Sequence, residues 1–314
     1  MLPSIRGSAM HNDQASAFPA RPQADTGAAF AETRSRRGVI ARLARNRIAL
    51  AGAILIGIFI LLAILGPLLS PYDATTPVLG ERLQAPSLAH PCGTDDVGRD
   101  LLTRIAYGAQ LSLLMGVAAM AVACAIGVPV GMLAGYRGGW YDLGLMRTVD
   151  VLLTIPSVVL AIAIVSALGA GVTSVILAVG VTSIPAFARL TRAVVLTLRE
   201  QEFVQAARVS GAADLRIFRL HLLPNVLPSL IVQISLGIGT TILIASALGF
   251  LGLGVRPPTP EWGVMLSRGR TYVSSAPHLV IFPGLAIALL VLAFNLLGDG
   301  LVDTLDPRSA EGGH

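Results

Sequence analysis

The chain has 314 residues, of which 54% are apolar and only 13% charged, and its mean hydropathy is +0.73. A soluble domain carries about a quarter charged residues, so composition alone points to a membrane protein. All 23 basic residues are arginine and the formal net charge is +5. Without lysine the chain has neither the phosphate-gripping residue of a P-loop nor a Schiff-base amine.

Residues 1–36 precede the first apolar run, and 1–33 mix Ser, Pro, Ala, Gln and charge without periodicity. They read as a disordered tail. No apolar stretch with a small-residue cleavage site opens the chain, so no cleavable signal peptide is expected. Arg34, Arg36, Arg37, Arg42, Arg45 and Arg47 then cluster just before an uncharged run from Ile48 to Tyr72. A helix needs about 20 apolar residues to cross the hydrocarbon core, so this run is one span. The run from Ile105 to Tyr136 holds a second span near 110–134. Gly127, Gly131 and Gly135 recur on it at a spacing that lets helices approach closely. The run from Val151 to Ala188 is too long for one span and is broken at Gly169-Ala170-Gly171. It predicts spans near 150–168 and 172–190. A fifth lies near 228–251 and a sixth near 279–298.

Six spans put both ends of the chain on one side, and the arginine cluster makes that side cytoplasmic. Segment 71–104 then faces outward with three Arg against five acids, and 189–221 faces inward with six Arg against three. Arg256, Arg268 and Arg270 in the loop 255–277 run against this rule. Asp150 follows Arg147 by three residues and is expected to pair with it on the helix surface. Cys92 and Cys124 fall at different depths, so no disulfide is expected. Two cysteines and five histidines offer no metal-ligand spacing. The arginines form no patch with interleaved aromatics, which argues against nucleic acid.

The inward segment 200–225 is unusual for a connector. Glu202 to Val209 has helix-forming composition, Gly211 breaks it, and Asp214 is placed to cap a second short helix through Phe218. Pro224 and Pro228 mark the start of the fifth span. From the residues alone this is either an amphipathic surface connector or a projection for a partner. On the fifth span Gln233, Ser235, Thr240, Thr241 and Ser246, and on the sixth Asn295, either line a path or bond between helices. No acid or base lies deep in a span to relay protons. That absence, with no inverted repeat, argues against a self-sufficient secondary transporter, which stays the other-class alternative.

Gln205-Ala206-Ala207, then Arg208, Gly211 and Ala212, then Leu223-Pro224, resemble the EAA motif of ABC importer permeases, with Gln205 replacing the usual Glu and His221 an aliphatic residue. His90-Pro91-Cys92-Gly93-Thr94-Asp95 through Gly98-Arg99-Asp100 resembles the HPLGTDxxGRD segment of dipeptide, oligopeptide and nickel permeases. Phe250 to Val255 with Pro257 to Gly263, and Ala293 to Leu301 with Leu305 to Arg308, resemble its later signatures. The chain is thus similar to the second, "C"-type permease subunit of these importers from about residue 37 to 308. The resemblance implies an all-α membrane fold of six helices like the methionine-permease type I domain. It divides the chain into an N-terminal helix with periplasmic segment (37–106), a permease core (107–300) and a cytoplasmic tail (301–314). It implies that Gln205, Ala206, Ala207, Arg208, Gly211, Ala212, Asp214, Leu223 and Pro224 couple to ATPase subunits. It also implies a homologous second permease, two ATP-binding subunits that use the ATP and magnesium, and a periplasmic binding protein. The chain itself would carry no cofactor, metal or catalytic residue, and lipid would surround it. Peptide is the implied cargo, with nickel, glutathione or another small solute as alternatives.

Overall fold

The computed structural model describes residues 46–305, which are almost wholly helical. The arginine cluster before Asn46 and the end of the chain from Asp306 lie outside the described residues. Helix α1 (Arg47–Leu69) starts where Asn46 caps Ile48 N and Ala49 N at 2.9 and 3.2 Å. It is apolar all round, and only a narrow stripe through Ala49, Gly52, Phe59 and Ala63 is buried. Ile56 and Leu62 pack partly against the core, and most of the remaining side chains are exposed.

Helix α2 (Leu101–Arg137) begins nine residues before the predicted 110, because Asp100 caps it through Thr103 N at 2.7 Å. Its 37 residues span roughly 55 Å at 1.5 Å per residue, well beyond a hydrocarbon core of about 30 Å. The predicted third span is not one helix. Helices α3 (Gly139–Thr154) and α4 (Ser157–Leu168) meet at 91°. The cause is Pro156: a residue before proline is driven out of the helical region, and Ile155 is extended at φ −96°, ψ 126°. Helix α4 alone is roughly 18 Å long, so the predicted third span exists only as this bent pair, and the described helices give six spans only when the pair is counted as one. Gly169, at φ +87°, ends α4, and α5 (Val172–Leu198) returns. The expected Arg147–Asp150 pair does not form. Asp150 instead meets Arg189 of α5 at 2.6 Å, and Asp142 holds Arg192 through both oxygens at 2.5 and 2.6 Å. Two carboxylates about two turns apart on the same face of α3 thus bind it along α5.

The glycine spacing on α2 does what close packing requires. A Cβ at Gly127 would meet Phe187 Cβ at 2.7 Å and Ile184 O at 2.8 Å. At Gly131 it would run into Ala188 O and lie 2.7 Å from Thr191 Cβ; at Gly135 it would lie 2.9 Å from Arg192 O. Three successive turns of α2 therefore rest on the α5 backbone.

Beyond the short α6 (Glu202–Val209) and α7 (Asp214–Ile217), α8 (Leu223–Phe250) and α10 (His278–Leu305) complete the bundle. Helix α9 (Trp262–Gly269) lies between them at the same end as segment 70–100. Trp262 is fully buried, donates to Ile105 O at 3.1 Å and sets its ring edge on Phe59 at 5.9 Å. Segment 70–100 folds as a cap. Gly93 and Gly98 take φ +80° and +85°, and Asp95 meets Arg99 at 2.7 Å and Arg104 at 3.4 Å, all buried. His90 shares a 3.0 Å contact with Asp100. Arg104 reaches Pro258 O at 3.3 Å, joining the cap to the α8–α9 loop. Cys92 and Cys124 are free thiols.

Glu261 is 1% exposed and caps α9 through Gly263 N and Val264 N, each at 2.8 Å. Burial pushes its carboxyl up to about 7, although the two backbone bonds pull the other way.

Two outcomes follow. Gly131→Val should push α2 off α5 and cost about 1–3 kcal/mol, whereas Gly57→Val on α1, where a Cβ meets nothing within 4 Å, should cost little; thermal denaturation of the purified proteins compares them. The folded chain holds the Glu261 proton more tightly than the unfolded chain. Stability should therefore fall as pH rises from about 4.5 to about 7 and stay low above it. Glu261→Gln should flatten that part of the melting-temperature profile.

Candidate functional site

Segment 200–225 is a built structure. α6 places Glu202 in its first turn and Arg208 in its last, each opposing the helix dipole. Val204 anchors it, fully buried, while Gln205, Ala206, Arg208 and Val209 are exposed. At its end Gly211 stands at φ +77°. Gly211 N donates to Arg208 O at 3.0 Å and Ala212 N to Ala207 O at 3.1 Å. This is the paired bond pattern of a glycine-closed helix terminus, with Ala207 and Ala212 meeting beneath it against the core.

Asp214 does not cap the next helix. α7 is capped by Ala213 without a side-chain bond, and Asp214 instead accepts from Arg137 Nη2 at 2.5 Å and Nε at 3.1 Å. Nor does a second short helix stand apart through Phe218. The coil continues through a π turn, Phe218–Leu222, into α8. Pro224 has no N–H to return to Leu220, and Leu223 N reaches back five residues to Phe218 O. Leu223 is half-buried and Pro224 exposed.

The segment hangs on residues that sequence reasoning did not single out. Tyr136, buried at the end of α2, meets Phe218 edge-on at 5.0 Å and lies under the Arg208 guanidinium at 4.8 Å. Arg199 donates to Gly135 O at 2.9 Å and pairs with Glu200 at 2.9 Å. Tyr136 and Arg137 gave no local sign of these contacts, since the partners in this segment, Arg208, Asp214 and Phe218, lie more than seventy residues along the chain. Tyr136, Arg137, Arg199, Glu200, Gln205 and Arg208 line a polar cavity of about 420 Å³.

The polar residues of the fifth and sixth spans divide into two sets. Ser235, Thr241 and Ser246 are buried, and Ser235 Oγ donates across to Phe294 O of α10 at 3.2 Å. Thr240 and Asn295 are exposed and Gln233 is half-buried. A Cβ on Gly239 would lie 3.3 Å from Asn295 Oδ1, so Asn295 flanks α8 near Thr240. No group of three or more His, Cys, Asp or Glu among the described residues forms a metal cluster.

Residues 36–86 match the N-terminal transmembrane domain of oligopeptide transport permease C. A dipeptide transport system permease protein of Alkalihalophilus pseudofirmus is 49% identical over 274 residues, covering 87% of this chain and 90% of that protein. A glutathione transport system permease protein of Escherichia coli is 48% identical over 268 residues, covering 85% and 88%. A solved methionine ABC transporter, described as inward facing, shares the fold at a TM-score of 0.50 and 21% identity, over 65% of this chain and 97% of its own. Residues 127–311 match the binding-protein-dependent transport system inner membrane component family, and the chain belongs to that family.

Proposed function

We propose that this chain is the second-type permease subunit of an ABC importer for short peptides, and that residues 202–224 dock to its ATP-binding subunits. The observation that carries the docking role is α6 itself. It is an eight-residue helix pinned by Val204 and closed at Gly211, with Gln205, Ala206 and Arg208 uncovered. A mere connector of two spans needs no such terminus. The peptide assignment rests on relatives named for dipeptide and for glutathione, itself a tripeptide; glutathione is the second reading, and competition between the two in an uptake assay separates them.

In this reading, two ATP-binding subunits close on ATP and displace α6, and a homologous permease completes the path facing a periplasmic binding protein. The movement passes to α2 through Arg208–Tyr136, Tyr136–Phe218 and Arg137–Asp214, and to α8 through the π turn. Helix α5 follows α2 because its backbone lies against the three glycines. Of the expected path residues, Thr240 and Asn295 are exposed, which supports their lining the path. ATP and magnesium belong to the partner subunits, since the chain has no lysine for a P-loop. The arginine-rich end carrying α6 is the cytoplasmic one.

Gly211→Val places a β-branched residue at positive φ and should open the terminus of α6. The protein should reach the membrane, but labelled dipeptide uptake should fall about tenfold or more, with ATPase subunits lost on purification. Normal assembly and uptake would remove the docking role. For orientation, single cysteines are placed at exposed Ser210 and Ser274 after removal of Cys92 and Cys124. An impermeant maleimide added outside intact cells should label position 274 and spare 210; the reverse pattern would invert the assignment.

A further inference from the structure

The cavity beside α6 has a charge imbalance. Three guanidiniums, Arg137, Arg199 and Arg208, line it against one carboxylate, Glu200. Two of the three are committed, Arg137 to Asp214 and Arg199 to Glu200. Arg208 has the Tyr136 ring beneath it at 4.8 Å, and no carboxylate among the described residues pairs with it. A guanidinium stacked on an aromatic face keeps its edge N–H groups, which match a carboxylate in fork geometry. Residue 205 lies one helical turn earlier, where a carboxylate would be within pairing reach of Arg208. It is a neutral glutamine, whose Nε2 donates to Glu200 O at 3.2 Å. The α6 surface therefore offers a positioned cation at 208 and no anion at 205.

We infer that the 420 Å³ cavity receives an acidic side chain of the ATP-binding subunit, with Arg208 as its anchor and Tyr136 as the platform that aims it. The inference rests on the docking role of residues 202–224. It adds the chemistry of the partner surface: a protruding Asp or Glu, complementary to the excess positive charge. The volume is ample for one such side chain. An ion pair of this kind also steers encounter and weakens as salt rises.

The test uses the full complex, with this chain, its second permease and the ATP-binding subunits reconstituted in lipid nanodiscs. Arg208→Gln should weaken binding of the ATP-binding subunits about tenfold at low salt and flatten the salt dependence. Arg208→Glu should weaken it further. Arg208→Lys keeps the charge but not the fork, so it should restore the salt dependence without full affinity. Arg147→Gln, an exposed cation of α3 outside both residues 202–224 and the cavity, should bind as the unmodified chain does. If Arg208→Gln binds normally while Gly211→Val uncouples, the anchor is wrong and the docking role stands; if both behave normally, both fall. If Arg208→Gln keeps its ATP-binding subunits but loses co-purifying anionic phospholipid, the cavity holds a lipid headgroup and the inference is overturned. Should the Arg208 variants fail to assemble, a photo-crosslinker at exposed Val209 in the otherwise unmodified chain replaces them. It should capture an ATP-binding subunit at a segment bearing Asp or Glu, and capture at a segment without either would sink the proposal.

Discussion

Three glycines on one helix face hold this molecule together. Among lipid tails, which are as apolar as leucine, helices gain nothing by merely hiding side chains from solvent, and association depends on close contact. Gly127, Gly131 and Gly135 allow α2 to lie on the α5 backbone over three turns. From that contact the other positions follow. α5 carries α3 through Arg189 and Arg192, and α5 leads directly into α6. The end of α2 then supplies Tyr136 and Arg137, which meet the segment that follows. Replacing the central glycine would therefore disturb contacts far beyond its own turn.

The two ends of the bundle use charge differently. In the cap, Asp95, Arg99 and Arg104 are each under 5% exposed and bound into one network with backbone carbonyls. Breaking one member would strand a buried charge, which costs several kcal/mol. At the α6 end, the Arg137 and Asp214 side chains are 47% and 41% exposed. Pairs of that kind contribute about 0–1 kcal/mol. The cap is consequently fixed, while the ties around α6 can part and re-form at little cost. That difference suits the docking role proposed for α6 and a cap that holds its shape.

Much of this was legible in the sequence, and the gaps have physical causes. Uncharged run lengths located the spans, because lipid tolerates few charges. Gly211 was readable because its neighbours made a helix that had to stop, and positive φ is glycine's distinctive latitude. The break at Ile155-Pro156 was hidden by the apolar character of both sides: hydropathy does not change across it, and only the steric restriction on a residue before proline marks it. Asp150 and Asp214 were assigned near neighbours, yet both bind arginines of other helices. Local spacing gives reach but says nothing of which distant helix lies closer. The same ambiguity divided the polar residues of the fifth and sixth spans, where Ser235 bonds inward and Thr240 faces out.

Helix α2 is one unbroken element of 37 residues, seated at its start in the cap through Asp100 and at its finish beside α6 through Tyr136 and Arg137. Its hydrogen-bond ladder lacks the bond that Pro129 cannot donate, yet the helix runs on through that residue, so as a strut it resists lengthening and can chiefly tilt, bend at Pro129 or turn about its axis. Any displacement of its α6 end must then appear at the cap as a rotation, on a lever of roughly 55 Å. The glycine contact with α5, spanning residues 127–135, lies in the half of the strut nearer α6 and acts as its fulcrum. With the short arm toward α6 and the long arm toward the cap, the proposed push on α6 at one end of the bundle would be delivered as a larger sweep at the other.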